Sequence, residues 1–364
     1  MQTKQIFNIS NFSYIIYTIV LKLNFFLVKL ANFETLLLNK KLSNLAIKNP
    51  IYISGLSRSG STLILELLDN NPAITSHKYK DFPFIFTPCF WHHLLATSQK
   101  KQPIYIERAH KDGVMISGES PEAFEEMIWM YFFKNLHTVE KTNVLSRKVK
   151  NPDFEIFYKN NILKMLLVNN CSQYVAKGNF NFSRFEYILS IFPSAKFLIP
   201  VRNPVDQVAS LIRTHKLFKK GHSINHRALK YFELTGHFEF GLSFKPVNIG
   251  KAEVFSEILR LFDKNQDVLA WSKYWNYIYS YIFETINKNE EMKKASLFIK
   301  YEDLCFKFEQ TLNKINTHCL LNPLVFSKKI IFSPKSYSEY FTKTELEIII
   351  TETKETAVKY SYDL

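Results

Sequence analysis

The sequence predicts an α/β fold, a central parallel β-sheet with helices on both faces, and three observations carry that prediction. Short apolar runs suited to buried strands recur at 51–54 (IYIS), 174–178 (YVAKG), 195–201 (AKFLIPV) and 296–302 (SLFIKYE), and helical patterns separate them. A glycine-framed loop joins the first run to its helix, in a chain with only 9 glycines among 364 residues. The composition, 46% hydrophobic and 22% charged, is that of a globular chain and excludes a disordered tail.

The elements follow in order. Residues 1–49 form an apolar and basic helical lead ahead of a domain at 50–364. Within the lead, residues 12–31 are strongly apolar but include Lys22 and Lys29. A central lysine costs about 2.5–3.5 kcal/mol in a spanning helix, and no A-x-A cleavage site follows. The expectation is a helix packed on the domain or lying on a membrane surface, with a membrane anchor as the alternative. TLILELLDN, after the first strand, is a helix ended by Asn70-Asn71-Pro72. Residues 119–133 open with Ser-Pro and acidic residues, which predicts a helix start. NFSRFEYILSI and VDQVASLIRTH are two more helices, the second set off by Arg202-Asn203-Pro204. The stretch 214–250, rich in His, Lys and Phe, reads as a long surface excursion. An aromatic helix at 267–286 precedes the last strand, and the remainder is helical.

The chain carries 47 Lys+Arg against 33 Asp+Glu, a net charge of +14. Such an excess suits an anionic partner, whether nucleic acid, an acidic membrane face or a polyphosphate-like small molecule, or else marks a lysine-rich solvated surface. Cys89, Cys171, Cys305 and Cys319 lie far apart with no C-x-x-C spacing. Reduced thiols in the cytoplasm are therefore expected, with no metal site.

Gly55-Leu-Ser-Arg-Ser-Gly60-Ser61-Thr62 has the frame of a loop whose backbone N–H groups cradle a phosphate at a helix N-terminus. The lysine that reaches a triphosphate is replaced by Ser61, and a cation appears earlier, at Arg58. A second constellation follows the strand FLIPV: Arg202 just past its end and Ser210 two helical turns on, a guanidinium and a hydroxyl that can clamp a phosphate.

Together these elements resemble the sulfotransferases that use 3′-phosphoadenosine 5′-phosphosulfate (PAPS), in their bacterial branch. S-R-S-G-S-T is similar to the family's 5′-phosphosulfate motif, and Arg202–x7–Ser210 to its 3′-phosphate motif about 140 residues later. KGNFNFSRFEYILSIFPSAKFL, KYEDL at 300–304, HKYKDFPFIFTP and GESPEAFEEMIW add to the match, which covers roughly 50–310. The resemblance implies a P-loop-like sheet and metal-independent in-line transfer of a sulfuryl group to a hydroxyl, less readily an amine, of a glycan, glycolipid or small metabolite. It implies that Arg58, Ser59, Gly60, Ser61 and Thr62 cradle the phosphosulfate, with Arg58 also stabilising the leaving oxygen. Arg202 and Ser210 would hold the 3′-phosphate, with Lys177 and Arg184 as further cofactor contacts.

The pattern departs from the family at the base. Relatives in the tyrosyl-protein branch place a glutamate about 21 residues after the loop arginine, where this chain has Tyr79. Asp81 is then the first candidate, His77 the second and Glu119 the third; His215, His222 and His226 could equally assist but read more simply as surface residues. The aromatics of 77–93, Phe82, Phe84, Phe86, Phe90 and Trp91, offer faces for an acceptor or for core packing. A P-loop small-molecule kinase or nucleotidase is the alternative function, disfavoured by the missing lysine. A non-catalytic nucleic-acid binder would account for the charge, but the basic residues are spread along the chain rather than clustered.

Overall fold

The computed structural model describes residues 7, 9, 11–96, 103–322 and 337–364. The lead forms two helices, α1 (Asn11–Lys22) and α2 (Asn24–Leu42), broken at Leu23 and bent by 70°. There follow β1 (Ile51–Ile53), α3 (Ser61–Asp69), β2 (Ile74–Thr75), α4 (Pro88–Ala96), the hairpin strands β3 (Ile106–Glu107) and β4 (Met115–Ile116), and α5 (Glu126–Phe132). Next come α6 (Pro152–Asn169), β5 (Gln173–Lys177), α7 (Phe185–Ile191), β6 (Lys196–Val201), α8 (Pro204–Ile224) and α9 (His226–Thr235). The chain continues with α10 (Ala252–Asp263), α11 (Asp267–Asn287), α12 (Glu290–Ala295), β7 (Ser296–Lys300), α13 (Tyr301–Phe306), α14 (Phe308–Cys319) and α15 (Lys343–Lys359).

Five strands make one parallel sheet in the order β2-β5-β1-β6-β7. Both faces are buried, as parallel sheets require. Alternate residues separate the two cores. Ile51, Ile53, Val175 and Leu198 pack with Ile64 and Leu68 of α3 and with Ile315 of α14. Tyr52, Tyr174, Phe197 and Ile199 face the larger aromatic core. β1 lies centrally, with the sheet growing from it in both directions, so the loop after β1 opens at a topological switch point where ligands bind in α/β folds.

Two local expectations need correction. The helix expected at 119–133 is shortened to Glu126–Phe132. Residues 118–122 instead pair with the segment after β2: Tyr79 N donates to Ser120 O (3.1 Å) and Glu122 N to His77 O (2.8 Å). Tertiary pairing here outweighs a good capping sequence. The stretch 214–250 is not a surface excursion, since α8 continues to Ile224 and α9 follows. His215, Phe218, His222 and Thr235 are buried. Its periodicity is weak because the same turns meet both the core and a cavity.

Candidate active site

Close packing shapes the loop after β1. A Cβ on Gly55 would lie 2.8 Å from Pro200 O of β6. Gly60 has φ +99°, and a Cβ there would lie 2.6 Å from the Tyr301 ring. Only glycine lets the loop pass through both places. From α8, the buried Gln207 donates to Leu56 O (3.1 Å) and Ser57 O (3.0 Å). These contacts leave the N-terminus of α3, beginning at Ser61, with backbone donors and a positive helix end suited to an anion.

Arg58 takes a left-handed backbone (φ +70°) and turns its side chain back across the site. Its Nε donates to Ser210 Oγ (3.0 Å) and its Nη1 to Asp112 Oδ2 (2.8 Å). Asp112, on the β3–β4 turn, also accepts from Arg108 Nε (2.9 Å) and Nη2 (2.5 Å). Burial disfavours the charge on Asp112, but Arg108 and Arg58 hold its carboxyl well below the usual range. Burial lowers the proton affinity of Arg58, and Asp112 opposes it.

Two cavities meet at this loop. The first, about 200 Å³, is lined by Arg58, Arg108, Arg202 and Arg213, with Asp112 and Glu66 as its carboxylates. Arg202 lies 4.7 Å over the Tyr301 ring, and Arg213 Nη1 donates to Tyr337 Oη (2.8 Å). Four guanidiniums around a helix N-terminus fit a ligand bearing several phosphate or sulfate groups. The second cavity, about 240 Å³, shares Arg58, Ser61, Thr62 and Arg108 with the first. One wall is apolar, with Phe7, Ile9, Phe218, Tyr231, Phe232 and Phe240. Its polar end holds Tyr79, Glu122, Lys177, Asn179, His237 and Glu239.

Glu122 is one of two carboxylates at that polar end. It accepts from Tyr79 Oη and from Ala123 N (2.7 Å), and Lys177 Nζ lies 4.0 Å away. Burial alone would raise its pKa, but Lys177, then His237 and the Tyr79 hydrogen bond, bring it down to about 2. Glu239 accepts from Asn179 Nδ2 (2.7 Å) and lies 3.8 Å from His237 Nδ1. Burial pushes His237 down, but the contact with Glu239 outweighs it and leaves the imidazole above its ordinary value.

The sequence candidates separate in space. Gly60, Ser61, Thr62, Arg58 and Arg202 line the first cavity, and Lys177, at the end of β5, lines the second. Ser59 is buried and lines neither. Ser210 anchors Arg58 and does not line the first cavity. Arg184 is not a cavity residue: it is 1% exposed, donates through Nη1 and Nη2 to Glu126 (3.0 and 2.6 Å) and stacks on Trp129.

None of the three base candidates lines either cavity. Asp81 accepts from Lys78 N (2.7 Å) in its own turn, and burial pushes it up to about 6. His77 is 2% exposed against Tyr174, pushed down to about 4 by burial. Glu119 is paired with Lys80 at 2.6 Å on the surface. The reason is topological: β2, which feeds this segment, pairs with β5 and not with β1, and only Tyr79 reaches the cavity. His215 and His222 are also corrected, since each is buried and accepts a backbone N–H, from Gly241 (3.3 Å) and Leu242 (3.2 Å). Phe82, Phe84, Phe86, Phe90 and Trp91 do not line the second cavity; Phe82 and Phe86 belong to the core.

Sequence reasoning missed Glu122, His237, Glu239, Arg108, Asp112 and Gln207. Glu122 is one of four acids in GESPEAFEE, and nothing local separates it from Glu119, Glu125 and Glu126. The pair Arg108 and Asp112, four apart, was the one available signal.

A family model described as the sulfotransferase family matches residues 50–237, just over half of the chain. No curated protein sequence matches significantly. Among solved structures, sulfotransferase STF9 from Mycobacterium avium aligns with a TM-score of 0.50 at 12% identity, over 91% of this chain and 82% of that one. Sulfotransferase STF1 from Mycobacterium tuberculosis H37Rv aligns with a TM-score of 0.43 at 13% identity, over 93% and 84%. The likeness to STF9 speaks for the fold, which is the parallel sheet described above. With the family match spanning the phosphate loop, Lys177, Arg202 and Ser210, the chain belongs to the sulfotransferase family.

Proposed function

We propose that this protein transfers a sulfuryl group from PAPS to a hydroxyl of an acceptor with an apolar body, by in-line transfer without a metal. The observation that carries this reading is the meeting of the two cavities at Arg58, Ser61 and Thr62, one rich in guanidiniums and the other largely apolar with carboxylates at its polar end. When bound, the nucleotide supplies an activated sulfuryl group on a phosphate leaving group. Backbone donors of 58–62 and Arg58 would hold the 5′ end, and Arg202 the 3′-phosphate. Arg58, braced by Ser210 and Asp112, is placed to stabilise charge on the departing oxygen.

Glu122 is the proposed base in place of Asp81, His77 and Glu119. Tyr79 stands where the tyrosyl-protein branch has its glutamate, and its hydroxyl donates to Glu122, so a carboxylate enters from another segment. A carboxylate of pKa about 2 is a weak proton acceptor. Lys177, which holds it there, also lies at the loop, and sharing that cation with an anionic donor raises the proton affinity of Glu122. The apolar wall favours a small aromatic or alkyl alcohol, or the apolar part of a glycolipid, over a free glycan.

The test is thermal shift with adenosine 3′,5′-bisphosphate in EDTA, followed by transfer of labelled sulfate from PAPS to a panel of alcohols, glycolipids and glycans. At a hundred times its dissociation constant the nucleotide should stabilise the fold by about 2.7 kcal/mol. A shift with ATP–Mg and none with the bisphosphate would overturn the reading in favour of a kinase.

A further inference from the structure

The N-terminal lead carries an apolar face that the rest of the chain leaves uncovered. Leu27, Ala31, Glu34 and Leu42 of α2 are buried, and the Lys164–Glu34 ion pair (2.9 Å) fastens them to α6. On the other side Phe26, Leu30, Phe33 and Leu37, spaced i, i+4, i+7 and i+11, form an exposed stripe, 43–62% accessible. Leu23, Phe25 and Leu36 widen it, and Ile15 and Ile19 are exposed on α1. So many large apolar side chains on one helix pair differ from the single exposed leucines of an ordinary surface.

The charge around the stripe has one sign. Lys22, Lys29, Lys40, Lys41 and Lys48 are exposed, and Glu34, the one acidic residue between 11 and 50, is buried. Among the described residues none of these lysines lies within ion-pair distance of a carboxylate. Lys29 Nζ sits 4.4 Å over the Phe25 ring, its stem laid along the apolar surface. An apolar stripe with an all-basic border is the chemistry of a helix lying among anionic headgroups. A second copy of this chain would bring a second lysine border to the contact. A span fits less well: no single helix among the described residues is long and apolar enough, and the pair that passes together is bent by 70°.

We propose that α1 and α2 dock this protein peripherally on an anionic lipid bilayer, with Phe26, Leu30, Phe33 and Leu37 below the headgroups and the lysines among them. The lead also touches the second cavity, where Phe7 and Ile9 form part of the wall and Tyr17 packs 5.9 Å from Tyr231. Docking therefore holds that cavity close to the bilayer.

The test is co-sedimentation of the full chain with vesicles of phosphatidylcholine alone or mixed with phosphatidylglycerol. The expected result is binding to the mixed vesicles, weakened by salt and released by alkaline carbonate. A lysine at an acidic surface is worth about fivefold in affinity, so Lys40→Gln/Lys41→Gln should lose about 25-fold on mixed vesicles. Phe33→Ser/Leu37→Ser should lose more than about tenfold with an unchanged unfolding midpoint, because both residues are exposed in the folded chain. Equal binding to the two vesicle types, full retention by either variant, or resistance to carbonate would each overturn the proposal. So would a dimer in solution that Phe33→Ser/Leu37→Ser dissociates.

Discussion

Replacing Arg202 by alanine should weaken binding of adenosine 3′,5′-bisphosphate by about 10- to 150-fold and leave adenosine 5′-phosphate nearly unaffected. Arg202 follows the last residue of β6, is 6% exposed, and is stacked 4.7 Å over Tyr301 on the wall of the guanidinium-rich cavity. A hydrogen bond to a charged group is worth about 1.5–3 kcal/mol, and 1.4 kcal/mol is about tenfold in affinity. The stack already restricts the side chain, so little further ordering cost offsets the contact. Isothermal titration calorimetry of both nucleotides at one ionic strength reads the difference. Ser210→Ala is the contrasting variant, because Ser210 accepts from Arg58 Nε and does not line that cavity. It should lower kcat while leaving bisphosphate affinity nearly unchanged, because the charge-assisted hydrogen bond it removes is made to the Arg58 guanidinium and not to the ligand. Equal weakening of both nucleotides by Arg202→Ala would refute its assignment to the 3′-phosphate.

Three further outcomes are expected. Glu122→Gln should lower kcat by about 10²–10⁴ with donor affinity retained. Because the Glu122 pKa lies at about 2 in the free enzyme, kcat/KM for PAPS should show no acid limb between about pH 5 and 8; a limb above 6.5 that His237→Gln abolishes would move the base to His237. Glu66 lines the guanidinium-rich cavity, and burial pushes its carboxyl up to about 7 against the pull of Arg108. Bisphosphate affinity should therefore fall as pH rises through 7 and Glu66 becomes an anion beside the ligand, and Glu66→Gln should flatten that fall in calorimetric titrations. Glu34→Ala strands the buried Lys164 ammonium and should cost about 3–5 kcal/mol in urea unfolding, largely recovered by Glu34→Met/Lys164→Met.

The sequence by itself determined four of the five strands of the sheet (all but the two-residue β2), the glycine-framed loop and the arginine past β6, because each is encoded by neighbours in the chain. Buried strands show as short apolar runs, and Gly55 and Gly60 mark the places where a Cβ would strike Pro200 or Tyr301. Asn203-Pro204 likewise caps and starts α8 within two residues. What only the tertiary structure decided is the chemistry around the loop. Glu122 reaches the second cavity because residues 118–122 pair with the segment after β2, and Asp112 reaches Arg58 across 54 residues of chain. Arg184, a good cofactor contact by position, is taken up by Glu126 and Trp129. A carboxylate or guanidinium has the same side chain whether it is buried in a pair, exposed or facing a cavity. Its role is set by which distant segments fold against it, and local sequence does not encode that.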